Sequence, residues 1–280
     1  VEAFRQFPDL YLLIAAVLYM FAQALQMGTG AARLAGVRTK RVATGLTLFN
    51  LFATTGRLLN LFYAPLLSSL TDHARNTHDI SGFDGKMRLV MVAATIGAAL
   101  GGALIPWSVK ILERGIGTFE RTGSLVTALG RLATPTVFTW VFSEFRLPTA
   151  NTLRYSAKSL PKAFLIWNIV VTAFWVAGPL AALYASVLAP DVTATCIALS
   201  GLITGVATIT LTLIVDPAAA LITDQAALGT RPEADVKAML LYLVITAVAG
   251  TLLSQLLLSP AAGVIAYVAR FLFTHGIHQH

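Results

Sequence analysis

Residues 10–29 read LYLLIAAVLYMFAQALQMGT and contain no Asp, Glu, Lys or Arg. A helix rises about 1.5 Å per residue, so about 20 apolar residues cross a hydrocarbon core of roughly 30 Å. This stretch meets that requirement. It is expected to be a retained helix, not a cleaved leader. No basic region precedes it, Asp9 stands at its start, and it runs too long before any cleavage-like site. Five further stretches read the same way, at about 42–70, 87–112, 161–188, 193–215 and 237–258. The expected fold class is all-α: a polytopic membrane protein with a six-helix bundle, forming one transmembrane domain over residues 1–280.

Composition points the same way. Hydrophobic residues make up 56% of the 280 and charged residues 12%, where soluble domains average about 25% charged. Mean hydropathy is +0.75, more apolar side chain than a core of this size could bury. A soluble domain, a disordered chain, a coiled coil and a disulfide scaffold are excluded. Cys196 is the one cysteine, so no internal disulfide forms. The net charge of +7 and pI near 9.8 suit membrane lipid headgroups or an anionic lipid substrate, not nucleic acid. The composition permits a homo-oligomer.

Orientation follows from where Lys and Arg fall in short loops. Fourteen of the twenty lie on one side: Arg33, Arg38, Lys40 and Arg41 after helix one, eight between Lys110 and Lys162, then Arg231 and Lys237. Five lie on the other, and Arg57 falls inside a span. Both termini are therefore expected outside the cell, with the long third linker in the cytoplasm. That linker, 113–160, places Leu125, Val126, Leu129, Leu132 and Val137 at helical spacing, followed by Phe138, Trp140, Val141, Phe142 and Phe145. Amphipathic helices lying in the interface fit this pattern. A re-entrant hairpin around Pro135 is the competing picture. The segment from Pro260 to Phe273 either extends helix six or lies along the surface.

The informative residues are polar ones inside apolar spans. Arg57 lies about fifteen residues into the second stretch, near mid-depth, where an insertion cost of about 2.5–3.5 kcal/mol is expected. Thr47, Asn50, Thr54, Arg57 and Asn60 follow steps of three and four, so they share one helix face. Such a stripe should face other helices or a hydrated cavity. Two readings compete for Arg57: a structural pairing, or a buried cation awaiting an anionic headgroup. Arginine suits the second, because its fork stays charged and binds two phosphate oxygens at once. Asp216, before Pro217, either terminates helix five or sits at a kink as counter-ion to Arg57 or as an ion-coupling site. Gln23, Gln26 and Asn168 read as interhelical hydrogen-bonding residues. The pairs Gly97/Gly101 and Gly201/Gly205 read as close-packing contacts.

Enzyme chemistry has little support. No phosphate-binding G-x-x-x-x-G-K-[ST] and no zinc-binding H-E-x-x-H is present, and no pair of carboxylates is placed for acid–base work. No catalytic residue, metal site or cofactor is assigned.

The string Arg33-Leu34-Ala35-Gly36-Val37-Arg38-Thr39, with Leu48-Phe49-Asn50 and Arg57-Leu58-Leu59-Asn60, resembles the Amj family of bacterial lipid II flippases, alternates to MurJ. Six helices agree with that family. The resemblance implies movement of an undecaprenyl-diphosphate-linked peptidoglycan precursor from the inner to the outer leaflet of the cytoplasmic membrane, for cell-wall synthesis. Arg33 and Arg38 would then capture the diphosphate at the cytoplasmic mouth, and Arg57, flanked by Asn50 and Asn60, would receive it deeper. Anchoring of the topology by positive charge is the plainer account of Arg33 and Arg38. A carrier for another polyprenyl phosphate or anionic lipid, and a noncatalytic scaffold of cell-wall synthesis, remain as alternatives.

Overall fold

The computed structural model describes residues 8–77, 79–123, 139, 143–145, 147–149, 152 and 155–277. Among them every regular element is helical. We number the helices α1 (Pro8–Arg38), α2 (Val42–Leu58), α3 (Asn60–Thr77), α4 (Ile80–Ala103), α5 (Ile105–Thr122), α6 (Lys162–Leu188), α7 (Thr193–Thr210), α8 (Asp216–Ala227) and α9 (Glu233–Ile277). Five helical stretches are long and apolar enough to cross a membrane: Asp9–Arg38, Gly82–Ala103, Lys162–Leu188, Pro190–Ala227 and Glu233–His275.

The first helix does not stop at Thr29. It continues through Arg33 to Arg38, so these two arginines stand on a helix and not in a linker. The ending is a Schellman turn. Lys40 adopts a left-handed φ of 56°, its N–H donates to the Val37 carbonyl, and the Arg41 N–H donates to that of Gly36 at 2.8 Å. The chain turns straight into α2. There the two backbones touch: a Cβ on Gly45 would stand 2.7 Å from the Ala32 oxygen and 2.9 Å from Gly36 Cα.

The expected span at 42–70 is two helices, α2 and α3, interrupted at Leu59. Pro65 lies beyond the interruption, inside α3, which continues through it to Thr77. The span expected at 87–112 begins earlier, at Ile80, and breaks at Leu104, just before Pro106. Beyond it, α5 is amphipathic, burying Val109, Leu112 and Ile116. The helix expected at 193–215 does not terminate at Asp216. It passes through a π turn, Leu211–Val215, into α8. The last helix is continuous through Pro260 to Ile277, so the segment from Pro260 to Phe273 extends it. The predicted interfacial helices from Leu125 to Phe142, and the Pro135 hairpin, lie outside the described residues.

Buried side chains form two cores along the bundle. One gathers Leu12 to Ala22 of α1, Tyr63 to Ala74 of α3, Phe83 to Ala94 of α4, and the C-terminal halves of α6 and α9. The other gathers Ala31 to Val37 of α1, Leu48 of α2, α5, Phe164 of α6, Val215 to Ile222, and Val236 to Leu240 of α9. We call the second the basic half, because Arg33, Arg38, Lys110 and Lys237 cluster there, and the first the far half. Taken together, α2 and α3 touch both cores. Close backbone approaches hold the bundle. Gly101 of α4 faces Ala24 of α1, where a Cβ would lie 2.7 Å from Ala24 Cα, and Gly250 of α9 faces the Ile169 oxygen of α6. Gly201 and Gly205, expected to pack closely, face open space.

Candidate functional site

Six helices, α1, α2, α5, α6, α8 and α9, leave a cavity of about 120 Å³, lined in part by polar side chains, where they converge in the basic half. From α1 come Gln26, Thr29 and Arg33, and from α2 come Phe49, Ala53 and Arg57. The α2 residues are spaced by four, so they form one row on that helix. Asn168 enters from α6 and Asp216 from the start of α8.

Asp216 is aimed by its local backbone. Pro217 has no N–H and would crowd the carbonyl four residues earlier, so a straight α-helix is disfavoured here. The chain widens into the π turn instead, and the Asp216 N–H donates to the Leu211 oxygen. Single π turns of this kind recur at functional sites. The Asp216 carboxylate then meets Arg33, whose Nη2 donates to Oδ1 at 3.0 Å. Arg33 is 10% exposed and Asp216 42%. The pair is therefore lopsided, with a sheltered cation and an anion open to the cavity. Phe49 lies against the other side of Arg33, 4.5 Å from the guanidinium carbon to the ring centroid, and supports it by a cation–π contact.

Arg57 is placed differently. Its neighbour Gly56 faces the Ala22 oxygen and the Gln26 side chain, where a Cβ would stand 3.5 Å and 3.9 Å away. Those residues lie halfway along α1, so Arg57 sits midway along the first long span. It is exposed, lines the cavity, and has no ion-pair partner among the described residues. Arg33, Arg38 and Arg41, nearer the end of the bundle, each have one. Arg38 bridges Glu113 and Glu233, both at 3.0 Å, and Arg41 meets Glu120 at 2.5 Å. Asp216 thus pairs with Arg33 and not with Arg57, which was one of the alternatives the sequence left open, because the π turn carries it to α1.

Of the predicted stripe, only Arg57 lines the cavity. Thr47, Asn50 and Thr54 are exposed beside the row that does, and Asn60 is half-buried at the start of α3. Asn168 makes the expected interhelical bonds: Nδ2 donates to Thr246 Oγ1 at 2.7 Å and to the Leu243 oxygen at 3.2 Å.

Two features escaped the sequence reading. The first is an apolar groove of about 630 Å³ between α1, α4, α5 and α9. The second is a chain of five charges at its mouth. Lys110 pairs with Glu113, Glu113 and Glu233 share Arg38, and Glu233 pairs with Lys237. The spacings of Lys110/Glu113 and Glu233/Lys237 were visible as intrahelical pairs; their meeting at Arg38 was not. Among the described residues no group of three His, Cys, Asp or Glu is placed to hold a metal.

A family model described as Amj, Alternate to MurJ, matches residues 18–269. Over 244 residues the chain is 33% identical to a protein of Bacillus subtilis (strain 168) named Lipid II flippase Amj, a match covering 86% of this chain and 90% of that protein. No solved structure matches.

Proposed function

The chain belongs to the Amj family, and from that membership we propose that it is a lipid II flippase, moving a polyprenyl-diphosphate-linked peptidoglycan precursor across the bacterial cytoplasmic membrane. The observation that carries this reading is Arg57: a guanidinium midway along the first span, lining a polar cavity, with no acidic partner among the described residues. A charge at such depth is expensive in lipid. A diphosphate bound to it supplies the missing counter-charge through paired hydrogen bonds.

The residues divide the work. Arg38, at the groove mouth, offers the diphosphate its first cation. Arg33 lies further in, and the incoming anion competes with Asp216 for it. Arg57 receives the headgroup deepest. Asn50 and Asn60 flank that path and meet the sugar–peptide portion as it passes. No bond is made or broken. Asp216, released from Arg33 as the anion enters, is free to take up a proton or a cation.

In this reading α2 and α3 together make the sixth crossing, both termini lie outside, and the basic half faces the cytoplasm. One transmembrane domain comprises the whole chain. Helix α5 lies at headgroup level, its apolar side on the bundle and Arg114 and Arg121 toward anionic lipid. An anion leaving a negative interior gains about 2.3 kcal/mol per charge per 100 mV, so the membrane potential drives export without nucleotide hydrolysis.

Purified protein in liposomes with fluorescent lipid II on the inner leaflet tests the proposal. The expected result is transfer to the outer leaflet, faster when the interior is negative. Lipid II that stays where it was placed refutes the transport reading. Transfer indifferent to the potential refutes only the energetic part.

A further inference from the structure

Three residues line both cavities. Ile105, Leu240 and Val244 border the polar cavity on one side and the apolar groove on the other. They form a wall one side chain thick between a compartment suited to a charged group and one suited to a hydrocarbon. We propose that the groove receives the polyprenyl chain of the diphosphate lipid while its diphosphate enters the polar cavity, with Ile105, Leu240 and Val244 as a movable partition between them. The proposal rests on the flippase reading and adds to it a second subsite.

The groove suits such a chain. Its walls are largely aliphatic, with Leu34, Ala99, Val109, Leu241 and Val248 among them. It opens sideways: Ile245, on its lining, is 45% exposed although it lies within a long apolar helix. A hydrocarbon chain can therefore enter from the bilayer without crossing water. At the mouth, Arg38, Lys110 and Lys237 outnumber Glu113 and Glu233. Within the polar cavity, Arg33 and Arg57 outnumber Asp216. Both compartments thus carry one excess positive charge, which complements an anionic head. One groove beside one cavity fits a single-chain lipid better than a two-chain phospholipid.

For one lipid to fill both compartments, the partition has to open where the isoprene chain joins the diphosphate. A Cβ on Gly30 would stand 2.7 Å from Leu240 Cδ2, and one on Gly102 would meet the Val244 side chain. Leu240 and Val244 therefore lie in hollows left by glycines of α1 and α4. Opening the partition requires those side chains to leave their hollows by a change of rotamer. Glycine at these two places keeps the wall thin on both sides.

The test uses the full chain in phosphatidylcholine liposomes and a polyprenyl diphosphate carrying a photoreactive diazirine on the isoprene units nearest the diphosphate. After irradiation, labelled peptides are mapped by mass spectrometry. Label is expected on residues 99–109 and 240–248, competed by unlabelled polyprenyl diphosphate and not by phosphatidylglycerol. Ile245→Trp, filling the opening, should lower that labelling about tenfold, equivalent to about 1.4 kcal/mol. Leu202→Trp, on the exposed side of α7, should leave it unchanged. Label spread evenly over lipid-facing helices, displacement by phosphatidylglycerol, or undiminished labelling of Ile245→Trp overturns the proposal. Fluorescent lipid II transfer by the same liposomes separates the two readings. Groove labelling without transfer refutes the flippase and keeps the subsite, whereas transfer without groove labelling refutes the subsite alone.

Discussion

In the far half of the bundle, Arg88 commits its donors on every side. Its Nε donates to Asp84 at 2.7 Å, Nη1 to the Gln255 oxygen at 2.8 Å and Nη2 to Ser259 Oγ at 2.9 Å. Gln255 Nε2 donates back to the Arg88 oxygen. In the basic half, Arg57 has no such set, though it too belongs to an apolar part of the chain. The surroundings differ in the same sense. Around Arg88 stand Phe83, Met87, Val90 and Met91, all fully buried, and α4 is pinned to α9. Around Arg57 the helices part and leave a cavity. An arginine with all three nitrogens engaged is a staple; one that faces a cavity and pairs with no acid is available to a ligand.

The largest expected effect comes from exchanging these roles. Arg57→Ala should lower lipid II transfer about hundredfold, the loss of about 2.7 kcal/mol of charge-assisted hydrogen bonding, with the amount of folded protein unchanged. Arg57→Lys should recover part of that loss, since a lysine keeps the charge but not the two-pronged geometry. Arg88→Ala should do the reverse. Transfer per folded molecule stays within about twofold, while the stability of the detergent-solubilised protein drops by about 2 kcal/mol. Transfer rates normalised to protein that survives size-exclusion chromatography distinguish the two. If both arginines behaved alike, partner geometry would not separate staple from site.

A smaller effect is expected where the two types of charge meet, at Arg33 and Asp216. Asp216→Asn removes the anion that competes with an incoming diphosphate for Arg33. Binding of a labelled polyprenyl diphosphate in nanodiscs should tighten about tenfold, equivalent to about 1.4 kcal/mol, and transfer should slow because release now lacks a replacement anion. Weaker binding in Asp216→Asn would make Asp216 a mere support for Arg33, and the site would resemble the far half more than the comparison allows.

Much of this division was legible in the sequence. Helix α6, at Lys162–Leu188, falls within one residue of the expected 161–188, because no charge interrupts it. Arg57 stood out as a cation in an apolar run. The end of α1 was not legible for the opposite reason. Hydropathy falls at Arg33 and Arg38, yet the helix continues because Asp216, Glu113 and Glu233 neutralise them from 183, 75 and 195 residues away. No local pattern carries that information. The interruption at Leu104 did leave a signal, Pro106, but proline in a long apolar run suits a bent helix as well as a broken one; the interruption at Leu59 left none, since Pro65 lies within an unbroken helix. The groove left none, since aliphatic residues that line a cavity look the same as those that fill a core.

The smallest expected effect tests whether a shared motif means the same thing in two places. Gly97/Gly101 and Gly201/Gly205 have the same spacing. A Cβ at Gly101 would press on the backbone of Ala24, which cannot turn aside as a side chain can. Gly101→Ala should therefore cost about 1–3 kcal/mol of stability, the usual penalty for overpacking. At Gly201 a Cβ meets nothing within 4 Å, and Leu202 and Val206 beside it are exposed. There the change should fall within about 0.5 kcal/mol, or stabilise slightly through helix propensity. Thermal unfolding of the two variants in the same detergent gives the answer. A large loss at Gly201 would mean that this side of α7 is covered in the membrane, and a second copy of the chain, detectable by crosslinking at Leu202, would be the first thing to look for.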